Sequence, residues 1–161
     1  MTALLAASDS CFGWMLGEAA GEAPAGLLLP EGGIEDAALL TMLRQMAVEM
    51  RASTGSGAWL IVSGSEAVGL ISFVKPLDEA GAVEIGYGVA PSRRGLGHAT
   101  RAVAALVELL RQDNRFCVLT AGTAVANAAS QRALERAGFA VCGNSVDDEE
   151  GEMLMWRLPL R

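Results

Sequence analysis

The sequence is short of several features that mark large protein classes. Its three cysteines, Cys11, Cys117 and Cys142, are odd in number and widely spaced. With no CxxC pair among them, they predict neither a disulfide framework nor a zinc site, and no metal is expected. A basic excess is also missing. Twelve basic residues against 19 acidic ones leave a net charge of −7, the wrong sign for neutralising nucleic-acid phosphates. No apolar run reaches the roughly 18 residues of a spanning helix, because Arg101, Glu108 and Arg111 interrupt the richest stretch. Neither a nucleic acid nor a membrane is therefore expected as a partner. The opening MTALLAASDSC lacks a basic leader and carries Asp9, so a cytoplasmic location is expected. There is one histidine, His98, and one tyrosine, Tyr87.

What is present is ample apolar material. At 161 residues and 52% apolar, with a mean hydropathy of +0.34, the chain can build one core. A single domain over residues 1–161 is expected. Composition shifts near residue 57. Before it the pattern is helical: Ser8 or Asp9 can cap a short helix through Leu16, and Leu39, Leu40, Leu43, Met46, Ala47 and Met50 recur at three- and four-residue spacing. Gly21, Pro24, Gly26, Pro30, Gly32 and Gly33 make the stretch between them, residues 17–34, a loop.

From Ala58 the period becomes that of strands. WLIVS and AVGLISFV flank a turn at Gly64 and Ser65. VEIGYGV then places Val83, Ile85, Tyr87 and Val89 on one face, with Glu84, Gly86 and Gly88 on the other. That second face sets a carboxylate beside two residues without side chains, leaving room against the backbone. Next comes a helix striped by Ala99, Val103, Leu106, Val107 and Leu110, then FCVLTA, a helix closed by Gly138, and a terminal hairpin around Asp147 to Glu150. A strand, helix and strand in succession imply a right-handed crossover and a parallel pair.

One loop joins strand to helix through Arg94, Gly95, Leu96, Gly97, His98 and Ala99. Glycines let a ligand approach the backbone, and the first helical turn offers N–H groups without internal partners. Phosphate is the natural occupant, although a tight turn alone would use the same residues.

Two motifs sharpen this. EIGYGVAPSRRGLGHATRAV and the following NAASQRALERAGF resemble the GNAT superfamily of acyl-coenzyme A-dependent N-acyltransferases. Their wording is similar to its ribosomal-protein N-terminal acetyltransferase branch. The likeness spans residues 59–158 and is specific within 84–139; residues 1–57 match only in being helical, as an acceptor-side region. It implies an α/β fold with a mixed, mostly antiparallel sheet of six or seven strands, splayed at the cofactor, with helices on both faces. It also implies acetyl-coenzyme A as co-substrate, its pyrophosphate on the backbone of Arg94, Gly95, Leu96, Gly97, His98, Ala99 and Thr100. The pantetheine arm would lie on Val89 and Asn127. The acceptor would be an amine, a small molecule or a protein N-terminus, and a homodimer is allowed.

Transfer needs a neutral amine, whereas an alkylammonium is protonated near pH 7, so a base is required. The resemblance implies Glu84. Many relatives use a tyrosine to protonate the departing thiolate, but the matching position here is Leu134. Ser130 is then the candidate, although a serine three residues after the capping Asn127 can be a plain helix residue. His98 is expected to give only its backbone amide, while Arg93 and Arg94 could balance phosphate charge. Ser92 departs from the family loop, which often has glutamine or arginine there. Asp147, Asp148, Glu149, Glu150 and Glu152 form an acidic loop that could attract a cationic amine. A non-catalytic acyl-coenzyme A-binding or sensing module is the alternative.

Overall fold

A computed structural model describes residues 2–161. One seven-stranded sheet runs through it in the order β1-β2-β3-β4-β5-β7-β6. The strands are β1 (Thr2–Ala6), β2 (Ala58–Ser63), β3 (Glu66–Phe73), β4 (Ala82–Val89), β5 (Val118–Ala124), β6 (Ala140–Asp147) and β7 (Gly151–Pro159). All neighbours pair antiparallel except β4 and β5. The helices are α1 (Asp9–Met15), α2 (Ala37–Thr54), α3 (His98–Arg111) and α4 (Ala128–Arg136). The mixed sheet has the expected topology at its seven-strand limit.

Three of the four α-helices start where their sequence provides a capping side chain. The Ser8 side chain accepts from Cys11 N, Asp36 from Leu39 N and Asn127 from Ser130 N, satisfying donors that the first turn cannot pair internally. Helices α1 and α2 cover one face of the sheet through Phe12, Leu40 and Leu43, against Leu60 and Leu70. On the other face α3 lays Val103, Leu106 and Leu110 over Ile61, Ile71 and Ile85, with Leu134 of α4 beside them. Leu106 is fully buried; truncation of such a leucine to alanine costs about 2–5 kcal/mol. Because β2 and β3 are covered on both faces, they read as continuous apolar runs. Trp59, Trp156 and Met50 are core residues, whereas Met42 lies on the exposed face of α2.

The helical expectation for residues 1–57 needs one correction, since Thr2–Ala6 is a strand, paired from Thr2↔Ser63 to Ala6↔Trp59. Five residues are too few for a period to emerge, and the pairing partner lies more than 50 residues away. Tertiary context decides such a segment.

The strand pairing creates a fork. Strand β4 stays paired with β3 out to Val89, and β5 stays paired with β7 out to Ala124. Their mutual parallel ladder ends at Ile85↔Ala121. Beyond that point the inner edges of β4 and β5 diverge, and the first turns of α3 and α4 stand at the opening.

Candidate active site

A cleft of about 780 Å³ occupies the fork. It is lined by Tyr87, Gly88 and Val89 of β4, by the loop and first turn of α3, by Asn127, Ser130, Arg132 and Arg136 at α4, and by Glu35 and Glu150. A second cavity of about 330 Å³, between the far ends of α2 and α3, contains none of the motif residues.

The glycine loop has the geometry its sequence predicts. Gly95 and Gly97 both take φ of +80°, the left-handed region that L side chains rarely adopt. Gly97 is the N-cap of α3 and no side chain caps that helix. The amides of its first turn therefore lack a capping side chain where these residues line the cleft, an arrangement that suits an anion. Gly95, Gly97, His98, Ala99, Thr100 and Arg94 all line the cleft. Leu96 is the exception: its side chain is exposed and its carbonyl accepts from Arg101 Nη2 at 2.8 Å.

The arginines divide in role. Arg93 makes a two-pronged pair with Glu66 at 2.9 and 2.8 Å, pinning the turn before α3 onto the β2–β3 hairpin, so its charge is already balanced. Arg94 Nε donates to the Val89 carbonyl at 3.2 Å. Arg132 and Arg136 also face the cleft from α4. They are one helical turn apart, a spacing visible in the sequence but easily taken for a solvated face. His98 is buried, with Nδ1 3.1 Å from Thr2 Oγ1. Burial, then the charges of Arg101 and Arg93, hold its pKa below the ordinary value. Its ring is thus engaged by protein.

The strand residues are less simply placed. The expected room beside Gly86 and Gly88 is filled by protein: a Cβ on Gly86 would lie 2.9 Å from Val74 Cγ1, and one on Gly88 would collide with Glu35 Oε1. Glu84 lies on the same face but four residues back, about 13 Å along the strand at about 3.3 Å per residue. Its carboxylate pairs with Lys75 Nζ at 3.2 Å and does not line the cleft. Asn127 does line it, but its Oδ1 is committed to Ser130 N at 3.1 Å, leaving any ligand contact to the amide nitrogen. Ser130 lines the cleft, and its carbonyl accepts from Tyr87 Oη at 3.0 Å. This bond ties β4 to α4 across the fork. Burial pushes the Tyr87 hydroxyl up to about 12, so it is a neutral donor at physiological pH. Leu134, at the position of the missing tyrosine, is fully buried in the core.

Two acidic groups face the arginines. Glu150 comes from the turn between β6 and β7, whose Asp147 accepts from the backbone N–H groups of Glu149 and Glu150. Glu35 comes from the loop before α2 and was not singled out by its sequence, because no motif surrounds it. Burial, then the neighbouring Asp36, raises its pKa above the ordinary carboxyl value, and Arg94 partly opposes this. Among the described residues no cluster of three or more potential metal ligands occurs, and no helix is long and apolar enough to cross a membrane.

A forked sheet with a glycine loop feeding a helix that no side chain caps makes up the scaffold around the cleft. Residues 30–140 match the family model of the acetyltransferase (GNAT) domain, and the chain belongs to that family. An uncharacterized N-acetyltransferase of Bacillus subtilis, YjdG, is 31% identical over 98 residues, 60% of this chain and 58% of that relative. The chain thus spans less than two thirds of its length along that match. Among solved structures, the ribosomal L7/L12 alpha-N-protein acetyltransferase RimL, in complex with coenzyme A, superposes with a TM-score of 0.72. It is 19% identical, over 98% of this chain and 93% of that one. A spermidine N-acetyltransferase SpeG chimera from Vibrio cholerae and hSSAT gives 0.70 at 14% identity, over 99% and 95%.

Proposed function

We propose that this chain transfers an acetyl group from acetyl-coenzyme A to a primary amine by direct attack in a ternary complex. The observation that carries this is the fork. An unpaired inner edge of β4 leads from the end of its ladder to the left-handed glycine loop and the uncapped N-terminus of α3. Such a slot suits a ligand with an extended amide-bearing arm and a phosphorylated end. The edge at Val89 would receive the arm, the amides from Arg94 to Thr100 the pyrophosphate, and Arg132 with Arg136 a further phosphate. Family membership supports acetyl as the group carried. When bound, acetyl-coenzyme A supplies an activated thioester carbonyl for the amine to attack.

Two similar proteins act on amines of different size, a protein N-terminus and spermidine by their names. Either class of primary amine is an acceptor consistent with the acidic side of this cleft. Ser130 is retained as the candidate proton donor to the departing thiol, given its place in the lining. A cytoplasmic enzyme is compatible with three free cysteines, one of them exposed.

The test is thiol release from acetyl-coenzyme A with a panel of α-amino peptides, polyamines and aminoglycosides. Amine-dependent release is expected. Tight coenzyme binding without release across the panel would instead favour a non-catalytic sensing module.

A further inference from the structure

The expected base, Glu84, is paired with Lys75 and stands away from the cleft, while a different carboxylate lies over the strand end that would face the thioester. Glu35 Oε1 occupies the space a side chain at Gly88 would fill. Gly88 and Val89 are the last β4 residues before the glycine loop, on the unpaired edge beyond Ile85. We propose that Glu35 is the catalytic carboxylate that binds the acceptor's ammonium group and removes its proton, and that Glu84 is not the base. This assignment rests on the acetyl-transfer reading above.

Four observations carry it. Glu35 is held in place rather than trailing from a loose loop. The preceding Ile34 is buried and the following Asp36 caps α2 through Leu39 N at 2.8 Å. The same loop is tied to the cofactor side, where Ser92 Oγ donates to the Glu31 carbonyl at 3.3 Å. Ser92, the departure from the family loop, thus has a positioning role here. Next, the carboxylate is half-buried at the cleft, where it can meet a ligand without being fully hydrated. Its neighbourhood raises its proton affinity, narrowing the gap to an amine. Finally, Glu150 is the other carboxylate in the lining, so the acceptor side carries the charge that draws a cation.

The proton accounting closes. The Glu35 carboxylate takes one proton from the ammonium, and the neutral amine nitrogen attacks the thioester carbonyl carbon. A C–N bond forms, the C–S bond breaks, and the second nitrogen proton goes to the departing thiolate. The products are the amide and the free thiol, and Glu35 returns its proton to solvent. Arg94 lowers the Glu35 pKa in the free protein. Phosphate charge beside Arg94 would offset that influence, so coenzyme binding would make Glu35 the better proton acceptor.

The test compares Glu35→Gln with Glu84→Gln, both measured for kcat at neutral pH and for coenzyme A affinity by calorimetry. Glutamine keeps the shape over Gly88 and removes the charge. Glu35→Gln is expected to lower kcat about a hundredfold, the scale of a lost general base, with coenzyme affinity within twofold of wild type. Glu84→Gln should keep more than half of kcat. Added formate should restore turnover at least tenfold to Glu35→Ala, which opens a space for a small carboxylate. A Glu35→Gln kcat within threefold of wild type, or a larger loss in Glu84→Gln, overturns the assignment alone. A wild-type protein inert toward every amine overturns acetyl transfer itself, and the role of Glu35 with it.

Discussion

The two ends of the cleft are built by opposite means. At the proposed phosphate end the contributing backbone lies within seven consecutive residues, 94–100, shaped by two glycines at φ +80°. At the proposed acceptor end two carboxylates, Glu35 and Glu150, arrive from loops more than 100 residues apart in sequence. A feature made by local backbone geometry leaves a local signature in sequence. A feature made by docking distant loops leaves none. The phosphate end should also be rigid and intolerant of substitution, whereas the acceptor end should accept changes that alter turnover and spare the fold.

Breaking the phosphate end should have the largest effect. Gly97→Val forces a β-branched residue into a left-handed conformation and sets its Cβ 2.8 Å from Arg101 Nη1. The conformational penalty alone is about 1–2 kcal/mol or more. Coenzyme A affinity measured by calorimetry should fall more than tenfold, with a lower melting temperature. At the acceptor end Gly88→Ala would push against Glu35 Oε1, the far end of a flexible side chain that can swing aside. Turnover should drop about tenfold, the order expected when a base is displaced rather than removed, while coenzyme affinity and melting temperature stay near wild type. If affinity fell as far as turnover, the two ends would not be separable.

The smallest effect sharpens the boundary between the phosphate loop and the rest of the fold. Burial, with Arg101 and Arg93 nearby, lowers the His98 pKa from its ordinary 6.5. As pH falls below about 6.5 the unfolded chain takes up a proton that the folded chain resists. The His98 contribution to stability is therefore fully present above that pH and is lost as pH falls toward the depressed folded value. Melting temperatures of wild type and His98→Asn should diverge in slope between pH 7 and 5, with the variant flatter. Parallel slopes would show that the ring is not buried as described.

Much of the fold was legible in the sequence for identifiable reasons. The α3 stripe, the caps at Ser8 and Asn127 and the turn at Gly64 are local, and each lies where its residues predict. Strand β1 was not legible, because TALLA becomes a strand only by pairing with β2. The site divided in the same way. Gly95 and Gly97 marked a left-handed loop ahead of a helix, which the structure has, whereas Glu84, the expected base, is paired with Lys75. Gly88 did signal that something lies against the backbone. Its sequence could not say that the occupant was Glu35, because nothing local links residues 35 and 88.

The fork has one more consequence. An unpaired strand edge ordinarily invites another polypeptide and is a hazard for aggregation. Here the two bare edges face each other inside one molecule, each braced from behind by an antiparallel neighbour and spanned by the Tyr87 hydroxyl at Ser130. The sheet carries a gap between β4 and β5 beyond Ile85↔Ala121, and a ligand seated there would finish it. For this chain, binding its small molecule and completing its secondary structure would be one event.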